Sequence, residues 1–235
     1  MKIRLYVPSL LSEGSEVFLS EAQVHYLRSV LRCETGDEIF LFNGVDGEFS
    51  GGISVLEKKK AAVGGLRLER KQPDKKDVRL YFAPLKRDCT DWVVEKATEL
   101  GVSRICPVIT EFTAVSRVNT ERLKSIAVEA AEQCRRLDVP DVDAPVALKD
   151  LLAAWDDTQP VLIHLDESGK GKPASAVLNP ALPAAFLVGP EGGFSGSERM
   201  AIARLTNAAG LDLGERILRA ETAAIAVLSL YSCFK

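Results

Sequence analysis

The sequence predicts an α/β protein in which a small all-β unit precedes a domain built on a parallel sheet. Residues 1–72 read mostly as short strands at the spacing of a small barrel. The polar stretch Lys71-Gln72-Pro73-Asp74-Lys75-Lys76 then interrupts that pattern as a linker. Across 73–235, strands and helices alternate, and some strands are apolar throughout, as parallel strands covered on both faces are.

Strands are expected at 3–7, 15–19, 38–42, 48–56 and 61–70, with Asn43-Gly44 and Gly51-Gly52 as turn or bulge signals. One helix interrupts them: Ser20 caps it, and Ala22, Leu27, Val30 and Leu31 supply an apolar side before Gly36. After the linker, Val78–Ala83 is a strand, and Asp88 or Thr90 caps a helix running to Leu100 and stopping at Gly101. A strand follows near Ile105–Ile109. Thr120 opens a helix in which Leu123, Ile126, Ala130, Cys134 and Leu137 recur at helical spacing. Val161–Leu165 and Ala184–Val188 are apolar strands, and Ser195-x-x-Glu198 is a capping box that starts another helix. A short strand at Leu211–Leu213 leads to a closing helix from Glu221. From Ala220 to Leu230 that helix is apolar almost all round, which predicts burial on every side, with a partner subunit as a natural cover.

Composition narrows the function. At 235 residues, 46% hydrophobic and 27% charged, the chain is long enough for a real core and reads as globular. It has neither an apolar run of membrane-spanning length nor the apolar segment of a signal peptide, so a cytoplasmic location is expected. Cys33, Cys89, Cys106, Cys134 and Cys233 are odd in number and scattered, without a C-x-x-C pair. With His25 and His164 as the only histidines, metal-independent chemistry is expected. The net charge of −3 argues against general nucleic-acid stickiness, yet residues 57–76 carry eight Lys or Arg against three acids. That run reads either as a solvated face or as a phosphate-contacting surface.

The stretch "LVGPEGGFSGSE" (187–198) breaks a buried strand into Gly-Pro-Glu-Gly-Gly before a helix. It is either a tight turn or a place where a ligand lies against bare backbone. Its G-x-x-G-G pattern is neither the dinucleotide fingerprint nor a P-loop, and Glu191 would repel phosphate. A neutral or positive ligand suits it better. No G-x-S-x-G elbow exists, so a serine hydrolase is not indicated. A second stretch, "LGERILRAETAAIAVLSL" (213–230), also runs from a strand end through a glycine and arginines into a helix. Loops at the carboxyl ends of parallel strands gather into one crevice, so the two stretches can face one pocket.

These paired motifs resemble the C-terminal motifs of the ribosomal RNA small subunit methyltransferase E family. The resemblance extends through "EKATELGVSRICPVIT" (95–110), "VEAAEQCRRLDVP" (128–140) and "HYLRSVLRCETGDEIFLFNG" (25–44), nearly the whole chain. Tyr26, Glu95 and Arg135 depart from the residues usual in that family. The resemblance implies a trefoil-knotted parallel-sheet domain of the SPOUT class preceded by a PUA-like β-barrel. It also implies a homodimer and S-adenosylmethionine as methyl donor. The implied reaction is methylation of N3 of a uridine in 16S rRNA.

On that reading Gly189, Pro190, Gly192 and Gly193 let backbone approach the donor, and Leu165, Val188, Leu213, Ile217 and Leu218 wall its adenine, with Gly214 and Thr222 beside them. N3 methylation needs in-line attack and a base for the N3 proton. Glu191 and Glu221 are candidate bases; Glu191 is preferred, with Arg219 to stabilise charge on the uracil oxygens. Arg4, Arg28, Arg32, Lys58, Lys59, Lys60, Arg67, Lys86 and Arg136 are the expected RNA contacts. A ribose 2′-O methyltransferase and a non-catalytic RNA-binding protein are the competing readings.

Overall fold

The computed structural model describes residues 3–115, 117–166 and 169–233. They fall into two compact units, one of Met1–Asp74 with Ala131–Val139, the other of Lys75–Ala130 with Pro140–Lys235.

In the first unit, β1 (Arg4–Tyr6), β2 (Val17–Phe18), β3 (Glu38–Phe42), β4 (Glu48–Leu56) and β5 (Ala61–Arg70) form one curled sheet in the order β1-β3-β4-β5-β2. Register shifts along the β4–β5 pair bend it. The bend wraps the inward residues Leu5, Ile39, Leu41, Ile53, Val63 and Leu66 round Leu27 in a single core. Leu27 comes from the expected helix, which is shorter than its pattern suggests. Ser20 caps α1 (Glu21–His25) with both halves of a capping box, after which residues 26–30 widen into a turn closed by Leu31 N–H to Tyr26 O at 3.0 Å. The widening keeps Leu27 in the core and leaves Arg28, Ser29 and Val30 exposed.

Arg4 corrects an expectation. It is buried rather than available to RNA. Its Nε donates to Glu48 Oε1 at 2.6 Å, while its Nη atoms donate to the carbonyls of Ala131 (3.1 Å), Glu132 (3.0 Å) and Arg136 (2.7 Å). The guanidinium also lies 4.8 Å from the centre of the Phe42 ring. Arg70 Nε holds the other oxygen of Glu48 at 2.6 Å, and its Nη2 donates to Arg135 O. Residues 131–139 are thereby fastened to the sheet, with Ala131 and Leu137 packed on Phe42. Arg136 forks onto Asp138 at 2.8 and 2.9 Å, and its side chain is 11% exposed, so it too is a poor phosphate contact.

In the second unit strands and helices mostly alternate: β6 (Val78–Phe82), α2 (Arg87–Glu99), β7 (Arg104–Ile109), α3 (Thr120–Gln133), β8 (Asp141–Val142), β9 (Val146–Ala147), α4 (Leu148–Ala153), β10 (Val161–Leu165), β11 (Lys172–Pro173), α5 (Ala174–Val177), β12 (Ala184–Val188), α6 (Gly196–Ala203), β13 (Ala208–Asp212) and α7 (Ala220–Cys233). Of these, β8, β9, α4, β11 and α5 are additional to the expected elements. The last residues of α3 belong to the first unit. All strand pairs in this unit are parallel, in the order β11-β13-β10-β12-β6-β7-β8, with β9 beside β7. Every residue of β12 is buried because both faces are covered. Ala185 and Leu187 face a core with Tyr81, Leu152, Trp155 and Ile202, whereas the Phe186 ring meets Tyr231 of α7 edge-on at 5.3 Å.

Two local expectations change. Helix α2 starts at Arg87 with Lys86 as an uncapped N-cap; Asp88 and Thr90 lie inside it. Thr90 Oγ1 instead turns back to bond both N–H and C=O of Leu85, each at 2.9 Å. The apolar closing helix needs no partner subunit to bury its main face. Ala223, Ala224, Val227, Leu228 and Tyr231 are buried, and α7 packs on α2 and β12 of its own chain. Thr222 and Leu230 are left exposed on the other side.

The Glu48 carboxyl gives the first unit an acid-sensitive joint. Burial raises its pKa, but hydrogen bonds and charge from Arg70 and Arg4 outweigh that and hold it below the ordinary value of 4.5. A carboxyl depressed in the folded state contributes stability above its unfolded pKa, and that contribution disappears as pH falls through the folded value. Denaturation of the first unit should therefore become easier below about pH 4.5, and Glu48→Gln should flatten that dependence. Arg4→Met should cost about 3–5 kcal/mol at neutral pH, because it leaves the buried Glu48 with Arg70 alone and takes the donor from three carbonyls. Equal acid profiles for wild type and Glu48→Gln in denaturant titrations would contradict this.

Candidate functional site

Neighbouring strands β13, β10 and β12 run in the same direction and end together at Asp212, Leu165 and Val188. Their following loops enclose a cavity of about 750 Å³, a size suited to a nucleotide-like small molecule. The cavity lies at the carboxyl edge of the sheet, where ligands of open parallel sheets bind.

The first wall is the loop after β12. It contributes Val188, Gly189, Pro190, Glu191, Gly193 and Phe194. Its glycines serve separate purposes. A Cβ on Gly189 would sit 3.1 Å from the Phe194 ring, so this glycine makes room for a buried aromatic that floors the loop. Gly193 adopts φ +67 and donates its N–H to Pro190 O at 2.9 Å, closing a tight turn that a β-branched residue would strain. Gly192 stands outside the cavity, with the space of its absent Cβ 3.3 Å from Phe112. The turn is then locked onto α6: Ser195 Oγ accepts from Glu198 N–H at 3.3 Å, and Glu198 Oε2 accepts from Ser195 N–H at 2.8 Å. Arg199 reaches back to donate to Phe194 O. The tight turn and the backbone that faces the cavity are thus the same object here.

The second wall, after β13, contributes Leu213, Gly214, Ile217, Leu218 and Arg219, together with Glu215 and Arg216. Asp212 Oδ1 accepts from Gly214 N–H at 2.8 Å and folds this loop over the strand end. Ala223 N–H to Arg219 O, at 2.8 Å, marks where the loop hands over to α7. Thr222, expected among the donor contacts, is exposed on the first turn of α7 and is not in the lining. Ile217 is 82% exposed, so it is an apolar rim rather than a covered wall.

The third wall was read from sequence only at Leu165. The structure adds His164, Asp166 and Gly169. The His164 ring lies against Gly210 of the adjacent strand, where a Cβ would come within 3.2 Å. Burial pushes the imidazole below its ordinary value of 6.5, and Asp166 only partly offsets this, so the ring is neutral near pH 7. The available signal was the end of β10 itself, since a strand that neighbours β12 must end beside it.

Glu191 and Arg219, the two expected catalytic groups, are brought into one cavity, and both are exposed to it. Glu221, the other candidate base, is not in the lining. Its Oε1 lies 3.9 Å from Cys89 Sγ of α2, and its Oε2 is buried without a hydrogen-bond partner among the described residues. No group of His, Cys, Asp and Glu among the described residues is arranged to hold a metal ion. No helix among them is long and apolar enough to cross a membrane.

Of the expected RNA contacts, Arg28, Arg32, Lys58, Lys59, Lys60, Arg67 and Lys86 are exposed, whereas Arg4 and Arg136 are committed to the internal contacts described above. Arg67 meets Glu38 at 3.4 Å with both side chains more than half exposed, a contact too weak to hold it from another anion.

Residues 72–232 match the family model of an RNA methyltransferase domain, and residues 19–64 match that of an RNA methyltransferase PUA domain. Among named relatives, ribosomal RNA small subunit methyltransferase E of Rickettsia conorii is 35% identical over 231 residues, covering 96% of this chain and 93% of its own. The enzyme of the same name from Aquifex aeolicus is 34% identical, with coverages of 94% and 96%. A solved structure of the Neisseria gonorrhoeae ribosomal RNA small subunit methyltransferase E bound to S-adenosyl methionine superposes with a TM-score of 0.88 at 29% identity, covering 97% and 96% of the two chains. A methyltransferase of Legionella pneumophila solved with the same compound gives 0.86 at 31% identity, with coverages of 98% and 97%. This chain belongs to the ribosomal RNA small subunit methyltransferase E family and is an RNA methyltransferase.

Proposed function

We propose that the chain transfers a methyl group from S-adenosylmethionine to N3 of a uridine in 16S rRNA. The observation that carries the reading is the cavity at the ends of β10, β12 and β13, which holds Glu191, Arg219 and glycine-bearing backbone together. Its volume and apolar side chains Leu165, Val188, Leu213 and Leu218 suit an adenosyl group, and the carboxylates of Glu191 and Asp166 suit a cationic one. S-adenosylmethionine supplies an electrophilic methyl group on a sulfonium centre. Glu191 would take the N3 proton as the uracil nitrogen bonds the methyl carbon and the S–C bond breaks to leave the neutral thioether S-adenosylhomocysteine, and Arg219 would offset negative charge developing on the uracil oxygens. The loops hold the reactants in line, which is the largest contribution open to such a site.

The division of labour follows the two parts of the chain. Residues 1–72, a PUA-like barrel, bind rRNA through Arg28, Arg32, Lys58, Lys59, Lys60 and Arg67. Residues 73–235, knotted as in the SPOUT class, carry the chemistry, and Lys86 adds an RNA contact. The active form is a cytoplasmic homodimer, in which the exposed side of α7 with Thr222 and Leu230 is one surface for the partner.

Mass mapping of 16S rRNA nucleosides from a strain lacking this chain should show loss of one N3-methyluridine, restored by the wild-type protein. Loss of a ribose 2′-O-methyl group instead would replace the proposed reaction with the alternative. Arg219→Ala should lower turnover about 10²- to 10³-fold with little change in donor affinity, whereas Glu191→Gln should lower turnover about as much and also weaken binding of the cationic donor.

Gly193→Val should abolish donor binding, since valine at φ +67 must reopen the turn that shapes the first wall. Calorimetry showing wild-type S-adenosylmethionine affinity in a folded variant would remove that wall from the site. Replacing Lys58, Lys59 and Lys60 together by Ala should weaken RNA binding and flatten its salt dependence by about 0.7–0.9 in slope per true contact. An unchanged slope would return the run to a solvated face.

A further inference from the structure

Phe18 lies far from the cavity in the sequence and takes no part in the chemistry proposed above, yet its placement is unusual for a phenylalanine. Strand β2 pairs antiparallel with β5, setting Val17 opposite Val63 and Phe18 opposite Ala62. Val17 enters the core at 4% exposure, and the alternation of a strand sends Phe18 outward, where it is 58% exposed. The ring gains little from the fold there.

One cation stands beside the ring, and two more follow at the neighbouring hairpin tip. Lys60 Nζ stands 5.0 Å from its centroid. Lys58 and Lys59 form the tip of the β4–β5 hairpin, closed by Glu57 N–H to Lys60 O at 2.7 Å. All three lysines are exposed, and among the described residues none is in a salt bridge. The nearby Glu16 carboxylate is engaged with Ser54 Oγ at 2.6 Å.

An exposed ring beside one lysine, at a hairpin tip that carries two more, matches one class of partner. Every nucleobase has a π face that stacks on an aromatic side chain, and its flanking phosphates need positive charge. A paired base cannot offer that face, because its neighbours in the duplex cover it. We infer that Phe18 is a stacking platform for one unpaired base of the RNA substrate, with Lys58, Lys59 and Lys60 holding the adjoining phosphates. This rests on the reading of the chain as an enzyme acting on RNA, and it adds a recognition site for single-stranded RNA that the basic run alone does not specify.

The test compares wild type, Phe18→Ala and Phe18→Trp for binding to a short oligouridylate single strand and to an RNA duplex of the same length. Phe18→Ala should weaken single-strand binding roughly 5- to 100-fold while leaving the salt slope unchanged, because no charge is removed. Its duplex affinity, melting temperature and S-adenosylmethionine affinity should match wild type. Phe18→Trp should keep the affinity, and its added indole emission should be quenched by the single strand but not by the duplex. Wild-type single-strand affinity in Phe18→Ala, or equal losses on both RNAs, would overturn the inference while wild-type methylation of 16S rRNA left the proposed function standing. If the wild-type protein bound donor but neither RNA, this inference would fall, while the reading of the chain as an enzyme acting on RNA would be decided by its methylation of 16S rRNA.

Discussion

A parallel sheet covered on both faces leaves its loops one place to build a site, and the cavity of this protein follows from that constraint. Strands β13, β10 and β12 are hydrogen-bonded neighbours with one direction, so Asp212, Leu165 and Val188 must release their loops on the same edge. Backbone polar groups at those ends have lost their sheet partners and must be satisfied locally or by a ligand. Some are satisfied within the loops, as where Gly193 N–H meets Pro190 O and Gly214 N–H meets Asp212 Oδ1. Phe194 beneath the first loop and the Ser195–Glu198 capping box beside it make the turn rigid. A site that must hold two reactants in line benefits from such rigidity.

A related constraint acts in the first unit. A curled sheet of modest size cannot bury everything, and in the first unit an ion network does part of the fastening. Arg4 reaches carbonyls on residues 131–136 that are remote in sequence, while Glu48 neutralises it together with Arg70. That use of Arg4 separates the basic residues into two groups. Those with buried partners hold the unit together, and those at the β4–β5 tip and after α1 stay in solvent, where an anionic polymer can meet them.

Much of this was legible in the sequence, for identifiable reasons. The β3, β4 and β5 boundaries fall at the expected residues because local turn signals such as Asn43-Gly44 separate the runs, and the β12 run is recognisable because both its faces are apolar. Ser195-x-x-Glu198 announces α6 because a capping box is a local interaction that needs no tertiary context. What was hidden depends on distant partners. Nothing near Arg4 signals that its donors are taken by residues 131–136, and the widened turn after His25 has no local mark. The closing helix looked apolar all round because composition does not reveal that α2 and β12 of the same chain cover it. At the site, the two motif-bearing loops were readable, whereas His164 and Asp166 enter only through the neighbour relation of β10. The glycines were readable as necessary but not in their roles, since only coordinates distinguish Gly189 under Phe194 from Gly192 beside Phe112.

For the proposed chemistry to run, one cavity must receive both the methyl donor and the target base. A crystal structure of the protein with S-adenosylhomocysteine and a short uridine-containing RNA tests it most directly. The expected result is the nucleoside of the donor product against the backbone of Gly189 and Gly193, with a uracil N3 facing the vacated methyl position within hydrogen-bond reach of Glu191. Density for the donor product elsewhere on the chain, or a uracil in the cavity with N3 turned away from Glu191, would contradict it.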